Sequence, residues 1–131
     1  MTNRGLFASL DAGLTWTARP FDSKSPYSRA IAERADYSGV LFMTNGNGPP
    51  GSTGRLLKSV DYGETWADAG LPGDPNSTPW CIAVHPAQPD LMYTCTNLGL
   101  LYKSQDGGGT WTQLPRQFGE IRSLLLRPLE D

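Results

Sequence analysis

The sequence predicts an all-β fold in which four-stranded antiparallel blades follow one another in an arc. The main observation is the pattern Ser-x-Asp-x-Gly-x-Thr-Trp, which occurs in residues 9–16, 59–66 and 104–111 of the 131-residue chain. The aspartates of successive copies are 50 and 45 residues apart, and a period of this length is typical of propellers and other repeat architectures. The 15 glycines and 11 prolines suit a chain rich in turns, and no window shows sustained helical periodicity.

Each copy of the pattern predicts the tip of a β-hairpin. The glycine supplies a positive φ at low steric cost, and the aspartate can accept hydrogen bonds from backbone N–H groups of the turn. The tryptophan begins the outgoing strand, where it can pack against a neighbouring sheet. The residues with this structural role are Ser9, Asp11, Gly13, Trp16, Ser59, Asp61, Gly63, Trp66, Ser104, Asp106, Gly108 and Trp111. A calcium loop is the alternative, but each copy lacks the closing bidentate glutamate, so no metal site is predicted.

The remaining strands repeat in phase with this pattern. Residues 31–32 and 40–42 are matched 51 residues later by residues 82–83 and 91–93. A third strand precedes each octapeptide and a fourth follows it, and four short strands separated by turns make one propeller blade. With strands A to D running outward from the axis, the predicted order is C and D of a first blade (1–20), a complete second blade (28–70), a complete third blade (79–115) and the first strand of a fourth blade (121–131).

This organisation predicts a β-propeller arc of about two complete blades plus two partial ones. Propellers typically close with four to eight blades. An open arc leaves apolar sheet faces at both ends, and repeat proteins normally protect such faces by closure or caps. We therefore expect a fragment of a longer propeller, or self-association of the chain when it is expressed alone.

Composition excludes several classes of partner. A net charge of -2 gives no electrostatic footprint for nucleic acid or an anionic membrane. No segment is long and apolar enough to span a bilayer, and no secretory signal follows Met1. The sequence predicts no cofactor, and it leaves the compartment open because a signal could precede a chain that starts in mid-blade.

The three octapeptides resemble the Asp-box of BNR-repeat β-propellers. That family includes sialidases, xyloglucanase-type glycosidases, sortilin-like receptors and photosystem assembly factors, and the resemblance covers nearly the whole chain. A sialidase-like site would need a Phe/Tyr-Arg-Ile-Pro motif, which is missing because Ala18 precedes Arg19 and Pro20. A xyloglucanase-like site would need two carboxylates facing across a cleft. Asp22, Asp74 and Glu120 are candidates by location only.

Two cysteines are predicted to face each other across a hairpin. If the hairpin of residues 80–96 is centred on Gln88, Cys81 lies directly opposite Cys95. Directly opposed residues have Cβ atoms about 4.5–5.5 Å apart, which is near but not ideal for a disulfide. The alternative is a pair of small buried hydrophobic side chains. His85, the only histidine, lies in a turn, so histidine-based nucleophilic catalysis has no support.

Candidate ligand-binding residues lie where strand A enters each blade. Because strands alternate in direction, the Asp-box turns share one face with the A-to-B turns, and the longer B-to-C and D-to-A loops share the other. Recognition residues tend to lie on such loops. Arg29, Trp80 and Arg122 occupy equivalent positions on this loop face. Arginine suits an anion and an aromatic ring suits a sugar, although all three could instead be polar or wedge residues at a strand start.

Two functions remain open from the sequence. A non-catalytic binding or scaffold module is favoured, because no complete catalytic constellation is present, and its partner would be a glycan or a protein. The alternative is a fragment of a glycoside hydrolase whose catalytic residues lie largely outside this chain.

Overall fold

The computed structural model describes residues 5–19 and 25–129, and these form three antiparallel sheets without a helix. The predicted all-β arc is therefore confirmed. The strands are β1 (Leu6–Ala8), β2 (Thr17–Arg19), β3 (Tyr27–Glu33), β4 (Leu41–Gly46), β5 (Gly54–Ser59), β6 (Ala67–Asp68), β7 (Pro79–Ala83), β8 (Met92–Thr96), β9 (Leu101–Ser104) and β10 (Thr112–Gln113).

Each sheet is a meander in which strands adjacent in sequence pair with each other. The first sheet contains β1 and β2, the second contains β3 to β6, and the third contains β7 to β10. The first strands of the two complete blades, β3 and β7, lie against each other. They therefore form the neighbouring inner edges of blades two and three.

Both inner strands contain a β-bulge near their start. The register with the second strand shifts between Ser28 and Ile31 in blade two and between Pro79 and Cys81 in blade three. A bulge leaves a residue unpaired and turns the strand, so it changes the direction in which side chains point. The candidate residues Arg29 and Trp80 lie within these two bulges.

The hydrophobic core lies between the blades. Neighbouring residues of β4 point to opposite faces of the sheet. Phe42 therefore faces blade three, and Met43 faces blade one, where it packs with Leu6 and Leu57. The buried residues between blades two and three are Phe42, Leu56, Met92, Tyr102 and Trp111.

Each of the three octapeptide turns contains the same set of hydrogen bonds. In residues 59–66, the Ser59 hydroxyl donates to Asp61 Oδ1 and accepts from the Gly63 N–H, both at 2.8 Å. Asp61 also accepts the Thr65 N–H at 2.9 Å and the Thr65 hydroxyl at 2.6 Å. Trp66 Nε1 donates to the Gly63 carbonyl at 3.2 Å. Equivalent residues in the other two turns form the same bonds.

The three tryptophans of these turns differ in burial although their local bonds are the same. Trp111 is 7% exposed and packs edge-on against Phe42 of blade two, with ring centroids 6.3 Å apart. Trp66 packs partly buried against the core shared with blade one, and Trp16 is 63% exposed. Each tryptophan thus packs toward the preceding blade wherever the described structure contains that blade.

Residues 121–129 form no strand in the described part of the chain, although their sequence repeats the opening strand of a blade. The segment belongs to none of the three sheets of the described ranges. It lies instead over blade three, where residues 124–127 line a cleft of about 350 Å³ with Ala83, Tyr93 and Leu101. The last two residues of the predicted span, 130–131, lie outside the described residues.

Acid is expected to weaken the octapeptide turns. Hydrogen bonds from the threonine of each turn, through its hydroxyl and its backbone N–H, hold the pKa of Asp11, Asp61 and Asp106 at about 2, below the ordinary 3.8. Because folding lowers the pKa of these aspartates, their ionised carboxylates stabilise the fold. This stabilisation is fully present at pH values above the ordinary pKa. This contribution is lost as the pH falls from 3.8 through about 2. Thermal melting followed over this range should show the melting temperature falling.

Two variants test this explanation in a single turn. Asp61→Asn removes the ionisable group, and Thr65→Val removes a hydroxyl donor to Asp61 while keeping the carboxylate. Both should reduce the acid-induced fall in melting temperature. An unchanged pH dependence in both variants would contradict the proposed origin of the effect.

Candidate functional site

The loops between β4 and β5 and between β6 and β7 lie at the same end of the blades and contact each other. Thr78 joins them, because its N–H donates to the Pro50 carbonyl at 2.8 Å and its hydroxyl donates to the Gly48 carbonyl at 2.6 Å. Within the first loop, Asn47 Oδ1 accepts the Ser52 N–H at 2.9 Å. The β4–β5 loop is therefore tied to the start of the next blade.

Two glycines allow this close approach. A Cβ atom at Gly46 would lie 2.0 Å from Thr78 Oγ1, and one at Gly54 would lie 2.5 Å from the Ser77 carbonyl oxygen. Both distances are shorter than van der Waals contact, so a larger residue would force the loops apart. The start of β7 is thus held rigidly at this face of the arc.

Arg29 and Trp80 form a stacked pair on this face. The guanidinium carbon of Arg29 lies 3.6 Å from the centroid of the Trp80 ring, close enough for a cation–π interaction. The Arg29 side chain is exposed, and its Nη1 donates to the Tyr27 hydroxyl at 3.3 Å. Trp80 is half-buried. The two bulges therefore bring together candidates that the sequence placed on separate blades.

Arg122, the third candidate, is held by a different partner. Its Nε lies 3.2 Å from Glu120 Oε1 and its Nη2 lies 3.5 Å from Glu120 Oε2, and the side chain is 80% exposed. The Arg29–Trp80 stack forms without it. The same ion pair engages both oxygens of Glu120, one of the carboxylates selected from the sequence.

Asp74 lines an open cleft of about 250 Å³ together with Arg55 and Asp68. Arg55 Nε donates to Asn45 Oδ1 at 3.2 Å, and the buried Asn45 donates in turn to the Tyr27 carbonyl at 3.0 Å. Arg55 and Asp68 were not selected from the sequence, because they belong to no repeated or spaced motif. Asp22 lies outside the described residues.

The cysteines adopt the register predicted from the hairpin. Cys81 pairs directly with Cys95, and their Sγ atoms are 3.2 Å apart as free thiols. Cys95 is buried, while Cys81 is partly exposed.

Residues 5–19 and 25–129 contain no group of three or more His, Cys, Asp or Glu side chains that could hold a metal ion. No helix in the same ranges is long and apolar enough to cross a membrane.

Comparison with known proteins gives matches among solved structures only. No protein-family model and no curated protein sequence matches the chain. The chain is similar to the GH74 enzyme of Niastella koreensis, with a TM-score of 0.65 and 24% identity over 82% of this chain. It is also similar to the GH74 xyloglucanase of Xanthomonas campestris, with a TM-score of 0.61 and 23% identity over 85% of this chain.

The chain covers 17% of the length of each of these two enzymes. At this level of identity the likeness concerns the fold. The arrangement of successive antiparallel blades and the likeness to these glycoside hydrolases lead to the same assignment, that the chain folds as an arc of a β-propeller.

Proposed function

We propose that this chain is a non-catalytic carbohydrate-binding segment of a BNR-type propeller, and that the Arg29–Trp80 stack makes the central contact. The observation that carries the proposal is the stack itself, in which an exposed guanidinium lies 3.6 Å from a half-buried indole ring. The guanidinium that covers one face of the indole ring can donate to sugar hydroxyls or to a carboxylate, and the part of the ring left exposed suits the apolar face of a sugar.

Two further observations support this location. Both residues lie in β-bulges, and bulges are over-represented next to functional sites because they redirect side chains. The backbone beside Trp80 is fixed by the bonds of Thr78 to the preceding loop. A preorganised aromatic platform loses little conformational freedom when a ligand binds.

The alternative is that the chain is a fragment of a glycoside hydrolase. Asp68 and Asp74 share the cleft with Arg55, and hydrolysis of a glycosidic bond usually needs two carboxylates at a defined separation. The binding function is favoured because the Arg29–Trp80 stack is a formed contact, whereas Asp68 and Asp74 only line an open cleft.

Isothermal titration of the chain with xyloglucan and, separately, with polygalacturonate tests the proposal. Trp80→Ala should weaken binding of xyloglucan by about tenfold or more, corresponding to about 1.4 kcal/mol. Arg29→Gln should weaken binding of polygalacturonate more than binding of xyloglucan, because only the former carries carboxylates. The matched control is Trp16→Ala, which removes an exposed tryptophan from the opposite face.

Binding that survives Trp80→Ala but is lost in Trp16→Ala would place the ligand on the face of the octapeptide turns and would contradict the proposal. Release of reducing ends from xyloglucan, abolished by Asp74→Asn, would instead favour the hydrolase alternative.

A further inference from the structure

Blade three contains a pair of thiols that the blade fold does not require. In the repeat alignment, Cys81 and Cys95 correspond to Ala30 and Thr44 of blade two. There the Ala30 N–H donates to Thr44 Oγ1 at 2.9 Å, and the blade forms with the same strand order. Packing alone is therefore satisfied by an alanine and a threonine at these two positions.

The geometry of the two thiols suits bond formation. They occupy directly opposed positions on β7 and β8, with Sγ atoms 3.2 Å apart. Opposed side chains of an antiparallel pair lie in the range of Cβ separation where a cross-strand disulfide needs only a small adjustment. Neither backbone has to move to another register.

The two thiols differ in environment. Cys81 is partly exposed, and the backbone of Leu124 lies close enough to its sulfur to influence its pKa. The hydrogen bond with Cys95 is the main cause that lowers the pKa of Cys81; burial opposes it, and the Leu124 backbone and the Arg29 charge lower the pKa further. The same pair interaction and burial raise the pKa of Cys95. Cys81 is therefore the nucleophile of the first exchange, and Cys95 keeps its proton during that step.

We propose that Cys81 and Cys95 form a reversible redox site, which low-molecular-weight disulfides such as oxidised glutathione convert into a cross-strand disulfide. This inference concerns a different chemistry from carbohydrate binding and does not depend on it. The site lies beside the Arg29–Trp80 stack, because Trp80 immediately precedes Cys81 in β7.

The reaction proceeds by two thiol–disulfide exchanges. Cys81 loses its proton to solvent, and its thiolate attacks one sulfur of oxidised glutathione, which releases one glutathione thiolate and leaves a mixed disulfide. Cys95 then loses its proton and attacks the Cys81 sulfur, which releases the second glutathione thiolate. The two released thiolates take up the two protons. Two protein thiols are oxidised and one glutathione disulfide is reduced.

Equilibration of the full chain in glutathione buffers of increasing oxidised fraction tests the proposal. After alkylation of the remaining thiols, intact-mass spectrometry should show a monomer that has lost two hydrogens and carries no alkyl group, and dithiothreitol should reverse the change. The Cys95→Ser variant should accumulate a glutathione adduct on Cys81. The Cys81→Ser variant should form its adduct about tenfold more slowly, because Cys95 is buried.

Two controls separate redox chemistry from loss of structure. The double variant Cys81→Ala with Cys95→Thr places the blade-two pair at these positions, so it should fold and remain unmodified in the same buffers. In the Cys95→Ser background, Arg29→Gln should slow adduct formation more than the exposed Arg127→Gln does, because the Arg29 charge lowers the pKa of Cys81. Two outcomes would overturn the proposal, namely a wild-type chain that keeps both thiols or forms only intermolecular dimers, and a Cys81→Ser variant that reacts as fast as Cys95→Ser.

Discussion

Replacing Trp111 with alanine is expected to lower the free energy of unfolding by about 3–5 kcal/mol. The side chain is 7% exposed and contacts Phe42 in the core between blades two and three. Truncation leaves a cavity between two sheets that cannot collapse freely, because β8 and β9 hold blade three in register. Urea denaturation followed by circular dichroism measures the change.

Trp16→Ala is the matched control for this experiment, because it removes the same residue from the same position of the repeat. The Trp16 side chain is 63% exposed, and its Nε1 bonds the Gly13 carbonyl as Trp111 bonds Gly108. Its loss should cost less than half as much as the loss of Trp111. Equal costs for the two variants would show that the tryptophan stabilises the fold through its own turn rather than through the neighbouring blade.

A second large effect is expected at Gly108. A Cβ atom at this position would lie 2.2 Å from Cζ of Phe42, which is fully buried. Gly13 has nearly the same backbone, with φ of +90° against +87°, but a Cβ there meets nothing closer than 3.9 Å. Both alanine variants lose the freedom of glycine at positive φ, and only Gly108→Ala also overpacks the core.

Gly108→Ala should therefore be less stable than Gly13→Ala by about 1–3 kcal/mol. Parallel urea titrations of the two variants give this difference directly, because the cost of the backbone conformation cancels. Equal stability of the two variants would contradict this prediction. It would mean that blade two shifts away from the turn, so that Phe42 does not clash with the added Cβ atom.

Strand order and register could be predicted from sequence because they depend on local repetition. The octapeptides place the hairpins, and the centre of the 80–96 hairpin places Cys81 opposite Cys95. The burial of Trp111 and the exposure of Trp16 could not be predicted from the pattern, because the two turns are the same locally and differ only in their neighbours.

The candidate site was only partly predictable. Comparison of the repeats within the chain placed Arg29 and Trp80 at equivalent positions of two blades. Their stacking, however, depends on two bulges and on the contact between β3 and β7. A bulge is a property of strand pairing, and no spacing in a single sequence indicates it. The ion pair of Arg122 with Glu120 likewise depends on the rotamers of two side chains that are close in sequence, and the sequence does not indicate those rotamers.

Each octapeptide turn contains the same internal hydrogen bonds, and this repetition affects how blades can be gained, lost or exchanged. Every one of these bonds joins residues within one turn, so the turn is complete whether its tryptophan is exposed or buried. A blade can therefore be moved within a repeat array without changing its turn. At a new position, the face of the preceding blade must fit the tryptophan and the glycine of the turn. Phe42 makes this contact with Trp111 and Gly108. The turn is the interchangeable part of the repeat, and the pairing of adjacent faces fixes the order of the blades.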